Sequence, residues 1–81
     1  MQLSYTENKL LRKLALLNIK RETTLPEISK KLNISRVHPT FIHVTNKLFA
    51  LQILIIIKIF GRTKIILIDN SKLRDLIEAQ L

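Results

Sequence analysis

Two isoleucine-rich runs on either side of the only glycine constrain this chain more than any other feature. The stretch ILIIIKIFGRTKIILI covers residues 53–68, and Gly61 lies between the two runs. β-Branched residues favour strands, and glycine supplies the positive φ that a tight turn needs. The pattern therefore predicts a β-hairpin with strands over residues 53–60 and 63–68.

The predicted hairpin is apolar on both faces. A turn at Gly61 and Arg62 gives three predicted cross-strand pairs: Phe60 with Thr63, Lys58 with Ile65, and Ile56 with Leu67. One predicted face presents Ile53, Ile55, Ile57, Ile59, Ile66 and Ile68, and the other presents Leu54, Ile56, Phe60, Ile65 and Leu67. Only one face can pack on the domain's own helices. We expect the C-terminal segment or a second chain to cover the other.

The length of 81 residues suits a single domain over residues 1–81. The chain has no cysteine, so neither disulfides nor thiolate metal sites are expected. Its N-terminal residues lack the pattern of a secretory signal. The longest apolar stretch is interrupted by Gln52 and Lys58 and is shorter than the roughly 20 residues that span a bilayer. We expect a cytoplasmic protein with no membrane partner.

Capping patterns predict two helices in the N-terminal half. Ser4 and Glu7 have capping-box spacing before a helix over residues 5–19, whose inward stripe is Leu3, Leu10, Leu11, Leu14, Ala15 and Leu17. Leu16 falls outside that stripe, which hints at a partner. Thr24 and Glu27 repeat the cap spacing before a helix over residues 25–32, and Asn33 is suited to end it.

Two further helices are predicted by apolar periodicity. A helix over residues 39–51 buries Phe41, Val44, Leu48 and Leu51, and its outward side carries Thr40, Ile42, His43, Asn46 and Lys47. A helix over residues 71–81, capped by Asn70 or Ser71, has the apolar stripe Leu73, Leu76, Ile77 and Leu81. Packing of this last helix on its own domain and pairing with a second copy are equally consistent with the stripe.

The charge distribution points to a polyanionic partner. The net charge is +8, and no acidic residue lies between Glu27 and Asp69. Seven cations lie in that interval: Lys30, Lys31, Arg36, Lys47, Lys58, Arg62 and Lys64. A field of one sign attracts nucleic acid first, and an acidic membrane or protein surface second. A solvated surface that serves only solubility remains the alternative.

The stretch TLPEISKKLNIS followed by HPTFIHVTNKLFALQIL resembles the winged helix-turn-helix superfamily, including the MarR and ArsR groups of prokaryotic regulators. The resemblance covers residues 6–68 and implies an α+β fold, with a three-helix core, a two-stranded wing and a C-terminal helix. Two departures stand out. Arg36 and Val37 lengthen the turn, and Gln52 stands where the superfamily usually has glycine before the wing.

The resemblance and the charges together predict a protein that binds double-stranded DNA, with helix 39–51 in the major groove and the hairpin tip on phosphate or the minor groove. The candidate DNA-binding residues are Lys30, Lys31, Arg36, Thr40, Ile42, His43, Asn46, Lys47, Lys58, Arg62 and Lys64. On that helix, Asn46 is suited to pair with adenine, Lys47 with guanine or phosphate, and Ile42 with a thymine methyl.

The expected role is that of a small homodimeric transcriptional regulator, of archaeal or viral origin, associated with a nucleoid or with the cytoplasm of a viral host. The candidate dimer contacts are Leu16, Leu54, Ile56, Phe60, Leu73, Leu76, Ile77 and Leu81. The alternative is a winged-helix interaction module in a replication, transcription or membrane-remodelling assembly, and the apolar hairpin favours it.

Catalysis, cofactors and small-molecule substrates are not expected. The carboxylates lie near the chain ends, there is no glycine-rich phosphate loop, and no arrangement of Ser, His and Asp stands out. His38 and His43 lack neighbouring carboxylates and cysteines, so the sequence predicts no metal site.

Overall fold

The computed structural model describes residues 3–80, which form four helices and an antiparallel β-hairpin in the predicted order. The elements are α1 (Tyr5–Leu17), α2 (Leu25–Lys31), α3 (Pro39–Ala50), β1 (Leu54–Phe60), β2 (Thr63–Ile68) and α4 (Asn70–Glu78). The predicted α+β class is confirmed. The arrangement is compatible with a small winged-helix-like fold.

Helix α1 begins as predicted and ends two residues early. The Ser4 hydroxyl accepts a hydrogen bond from the Glu7 N–H, and the Glu7 carboxylate accepts one from the Ser4 N–H, which completes the capping box. At the other end Asn18 adopts a left-handed conformation with φ of 46° and caps the helix. Ile19 therefore leaves the helix and enters the core.

Helix α2 is capped by Thr24, whose hydroxyl accepts a hydrogen bond from the Glu27 N–H at 3.3 Å. The reciprocal half of this capping box is missing, because the Glu27 carboxylate accepts a hydrogen bond from the Thr23 hydroxyl instead. Asn33 has a φ of 53°, which confirms its predicted role in ending the helix.

Helix α3 has a cap that the sequence did not predict. The His38 Nδ1 atom accepts a hydrogen bond from the Thr40 N–H at 3.1 Å, which leaves Pro39 as the first helical residue. The helix ends at Ala50, so Leu51, expected in the inward stripe, is exposed instead. Gln52 adopts the left-handed conformation, with φ of 58°, which glycine adopts at least cost.

Helix α4 starts one residue earlier than predicted. The Asp69 carboxylate accepts a hydrogen bond from the Lys72 N–H, so Asp69 is the cap in place of Asn70 or Ser71. The helix ends at Glu78. The predicted helical position and dimer contact of Leu81 lies outside the described residues.

The hairpin keeps the predicted turn but not the whole predicted register. Phe60 pairs with Thr63 and Lys58 with Ile65, as expected, but Ile56 pairs with Ile66 because β1 carries a bulge at Ile57. The bulge changes which side chains share a face. The inner face carries Leu54, Ile56, Ile59, Lys64, Ile66 and Ile68, and the outer face carries Ile55, Lys58, Phe60, Thr63, Ile65 and Leu67.

The core lies between the four helices and the inner face of the hairpin. Its largest fully buried side chains are Phe41, Leu11, Ile28, Leu48, Leu54, Ile66 and Leu73. Thr23 exchanges two backbone hydrogen bonds with Ile66, of 2.9 and 2.8 Å, and so joins the far edge of β2. Within residues 3–80, the opposite edge of β1 has no strand partner. Across the described residues, each helix is too short or too polar to span a bilayer.

Candidate nucleic-acid interface

The outward side of α3 forms an exposed ridge made of Ile42, His43 and Asn46. The opposite side is held in the core by Phe41, Val44, Thr45 and Leu48. The Thr45 hydroxyl donates to the Phe41 carbonyl at 2.8 Å, so this buried polar group is satisfied within the helix. The three predicted base-contacting residues of the ridge are exposed to solvent.

Lys47 does not lie on this ridge, contrary to the sequence prediction. Its side chain is 31% exposed, and its Nζ atom lies 3.1 Å from Glu7 Oε2, which is 14% exposed. A hydrogen bond from the Ser4 N–H and the proximity of Lys47 lower the pKa of the Glu7 carboxyl, although burial opposes them. The helical period of the apolar stripe in α3 predicted that Lys47 faces outward. In the structure, α1 packs against that side of α3.

Thr40 also faces α1 and is half-buried. It lines a cavity of about 230 Å³ together with Lys9, Lys13 and His38, and with Thr6, Leu10 and Ile34. The two lysines are candidate phosphate contacts at the start of α3 that the sequence prediction did not include. In the sequence, these two lysines are distinguished only by their position on the polar side of α1. That position does not show which neighbouring element they lie beside.

Three predicted cations converge at a second cavity, which we call the basic cavity. It measures about 230 Å³ and is lined by Leu25, Pro26, Arg36, Arg62, Thr63 and Lys64. Arg36 comes from the turn that leads into α3, whereas Arg62 and Lys64 come from the hairpin. Within residues 3–80 the single ion pair is that of Lys47 with Glu7, so these three cations have no carboxylate partner. The hairpin turn therefore lies beside the approach to α3.

The hairpin tip, residues 58–64, combines cations with bare apolar groups. The Lys58 ammonium lies 4.8 Å from the centroid of the Phe60 ring, a cation–π contact on the outer face. Phe60 is 66% exposed and Ile59 is 63% exposed. The remaining predicted cations, Lys30 and Lys31, are exposed in the last turn of α2 but do not line the basic cavity.

The predicted dimer contacts divide into buried and accessible residues. Leu54 is 2% exposed and Leu73 is 0% exposed, so both belong to the core and cannot contact a second copy. Ile56 and Phe60 are exposed, and Leu76 and Ile77 are half-buried. Leu16 is 84% exposed beside an open groove of about 470 Å³ lined by Arg12, Ala15, Leu16, Arg74, Ile77 and Glu78. Of the predicted contacts, the groove brings together Leu16 and Ile77.

A cavity of about 610 Å³ follows β1 between the end of α3 and the start of α4. Its lining residues are Phe49, Gln52, Leu54, Ile55, Ile56, Lys64 and Lys72. Across residues 3–80, no group of three or more His, Asp or Glu side chains is arranged to hold a metal ion.

Comparisons with family models, with curated proteins and with solved structures found no match to this chain.

Proposed function

We propose that this protein binds double-stranded DNA as a small transcriptional regulator with a winged helix-turn-helix fold. In this proposal α3 enters the major groove, and the cations of the turn and the hairpin contact phosphates on either side. A helix fits the major groove, which is about 12 Å wide, whereas phosphate contacts fix its position along the duplex.

One observation carries the proposal: Arg36, Arg62 and Lys64 border one cavity beside the approach to α3, and none has a carboxylate partner within the described residues. Neighbouring positive charges create a local positive potential, which attracts an anion to that surface. Phosphate groups of a duplex are such anions, and their spacing suits several cations on one surface.

The exposed ridge is the proposed source of sequence preference. Asn46 is suited to bind the N6 and N7 atoms of adenine, and Ile42 is suited to contact a thymine methyl. His43 lies between them on the exposed side. Lys47 does not belong to the proposed base-reading set, because its ammonium is already paired with Glu7.

The proposed dimer forms through the surface of α1 and α4 around Leu16. A twofold axis at residue 76 would set two α4 helices antiparallel, with Arg74 of each copy opposite Glu78 of the other. Such opposite charges would support pairing, whereas the segment between Glu27 and Asp69, which has seven cations and no acidic residue, would repel a second copy. The molecule measures 38 × 24 × 21 Å, so touching copies can set two α3 helices about 34 Å apart, as successive major grooves require.

Selection of bound duplexes from a random pool tests the DNA proposal. We expect a preferred, palindromic sequence and an affinity that falls with salt with a log–log slope of about −4 to −5, for about five phosphate contacts. Equal affinity for all duplexes would reduce the role to an architectural one. Absence of duplex binding at low salt would refute the proposal.

A mass measurement of the free protein by light scattering tests the dimer. We expect the wild type to be dimeric and Leu16→Lys to be monomeric, because the new ammonium would be buried beside the like charges of Arg12 and Arg74. Val37→Lys is the matched control, since Val37 is also strongly exposed, at 74%, but lies in the turn before α3. A monomeric wild type, or an unaffected Leu16→Lys variant, would contradict this interface.

A second candidate function is that of a protein-interaction module, and the unpaired edge of β1 favours it. That edge runs beside the cavity of about 610 Å³, and a partner strand could add to the edge through main-chain hydrogen bonds. Charge reversal at Arg62 separates the two functions. It should weaken DNA binding, whereas a partner held by apolar and main-chain contacts should be retained.

A further inference from the structure

We propose that Phe60 acts as an apolar wedge that inserts at a base step of the duplex minor groove and bends the DNA. This inference rests on the proposed function and adds a mode of DNA deformation to it. The exposure of the hairpin is uneven. Near its root, Ile55, Ile56 and Ile57 are 41–42% exposed, whereas Ile59 and Phe60 at the tip are 63% and 66% exposed.

Each face of the hairpin tip pairs one large apolar group with one cation. Phe60 shares the outer face with Lys58, and Ile59 shares the inner face with Lys64, its direct cross-strand neighbour. The cation–π contact of 4.8 Å holds the Lys58 ammonium over the Phe60 ring. Among residues 3–80, neither lysine forms an ion pair. Apolar and cationic side chains are therefore neighbours on both faces of the tip.

This combination matches the chemistry of a duplex groove. A base step offers apolar faces once it is unstacked, and phosphates flank it on both strands. A protein surface would have to place carboxylates next to an apolar pocket to give the same match. Arg36 and Arg62 at the adjoining basic cavity add further contacts for phosphate and would repel a cationic protein surface.

The width of the minor groove limits which part of the hairpin can enter it. That groove is about 6 Å wide, and a β-ribbon with side chains on both faces is thicker, since packed sheets are spaced about 10 Å apart. The ribbon cannot enter whole, so only the side chains of its tip can. Apolar side chains that enter a minor groove unstack a base step and bend the duplex away from it by about 20–90°.

Ligase-catalysed ring closure of a DNA fragment tests the wedge without knowledge of a preferred sequence. A fragment shorter than the persistence length of about 150 base pairs closes rarely by itself, and a bending protein raises the yield of rings. The wild type is compared with Phe60→Ala, with Phe60→Leu, and with Ile55→Ala as the control on the same face. Anisotropy titrations on the same fragment set each protein to equal occupancy.

We expect the wild type and Ile55→Ala to raise the ring yield at least about fivefold, the factor given by the lower end of smooth bending energies. Phe60→Leu should retain this increase, because leucine also serves as a wedge. Phe60→Ala should lose it, and its affinity for the fragment should fall by about 5- to 150-fold, the equivalent of one lost base–aromatic stacking contact.

Three outcomes would overturn the inference. If the wild type binds duplex without raising the ring yield, the wedge is wrong but the proposed function is not affected. The same conclusion follows if Phe60→Ala gives full ring closure at equal occupancy. Tighter binding to the denatured single strands than to the duplex would replace the wedge with a stacking surface for unpaired bases. No binding of DNA by the wild type would instead refute the proposed function together with the wedge.

Discussion

Removing two cations of the basic cavity should reduce the salt dependence of DNA binding by a calculable amount. Arg36 and Arg62 border the same cavity, and neither has a carboxylate partner within the described residues. Each phosphate contact contributes about −0.9 to the slope of log affinity against log salt. With about five contacts the wild-type slope is about −4.5, and loss of two contacts in Arg36→Ala/Arg62→Ala leaves about −2.7.

The measurement is a series of anisotropy titrations of a labelled duplex across a range of salt concentrations. The control is Lys20→Ala/Arg21→Ala, which removes the same charge from exposed residues in the connection between α1 and α2. This control separates local contacts from the effect of net charge, because both variants lower the net charge equally. If both double variants change the slope by the same amount, Arg36 and Arg62 make no special phosphate contacts and the proposed interface is wrong.

Three further predictions concern stability. The free energy of unfolding should fall as the pH drops from the ordinary carboxyl value of 4.5 through the lowered pKa of Glu7, and Glu7→Gln should remove that part of the acid sensitivity; an unchanged acid profile would rule out this linkage. Gly61→Ala should destabilise the protein by about 1 kcal/mol, because Gly61 has a φ of +60°. Gln52→Gly should stabilise the protein by up to about 1 kcal/mol, because Gln52 has a φ of 58°. Denaturant melts that show the same sign for both changes would contradict this prediction. Ile66→Ala should destabilise by about 2–5 kcal/mol, since Ile66 is fully buried, whereas Ile59→Ala should stay within about 0.5 kcal/mol; similar losses for both would argue against the observed core.

Local interactions explain why most of the elements could be predicted. The caps at Ser4 and Thr24 involve residues three positions apart, and the turn at Gly61 depends on the φ of one residue. The caps that the sequence did not predict also depend on local interactions. Asp69 and His38 cap α4 and α3 because their side chains reach a nearby N–H, and either could be mistaken for an ordinary loop residue.

The candidate site was predictable only as a set of charged and polar residues. The acid-free segment pointed to a cationic surface, but Arg36 and Arg62 meet only because the turn and the hairpin pack together. Lys9 and Lys13 were missed as candidate phosphate contacts for the same reason, since their position beside Thr40 depends on how α1 and α3 cross. The bulge at Ile57 moved Leu54 and Ile56 to the face of Ile66, a change that no residue in the run signals.

The sequence by itself determined the α+β class, the order of the elements, the hairpin turn and the positive sign of the surface charge. Each of these depends on neighbouring residues or on composition. Tertiary structure alone decided the pairing of Lys47 with Glu7, the strand register beyond the bulge and the membership of the basic cavity. These features join residues far apart in the chain. Their geometry follows from packing of the whole core, which periodicity along the chain does not specify.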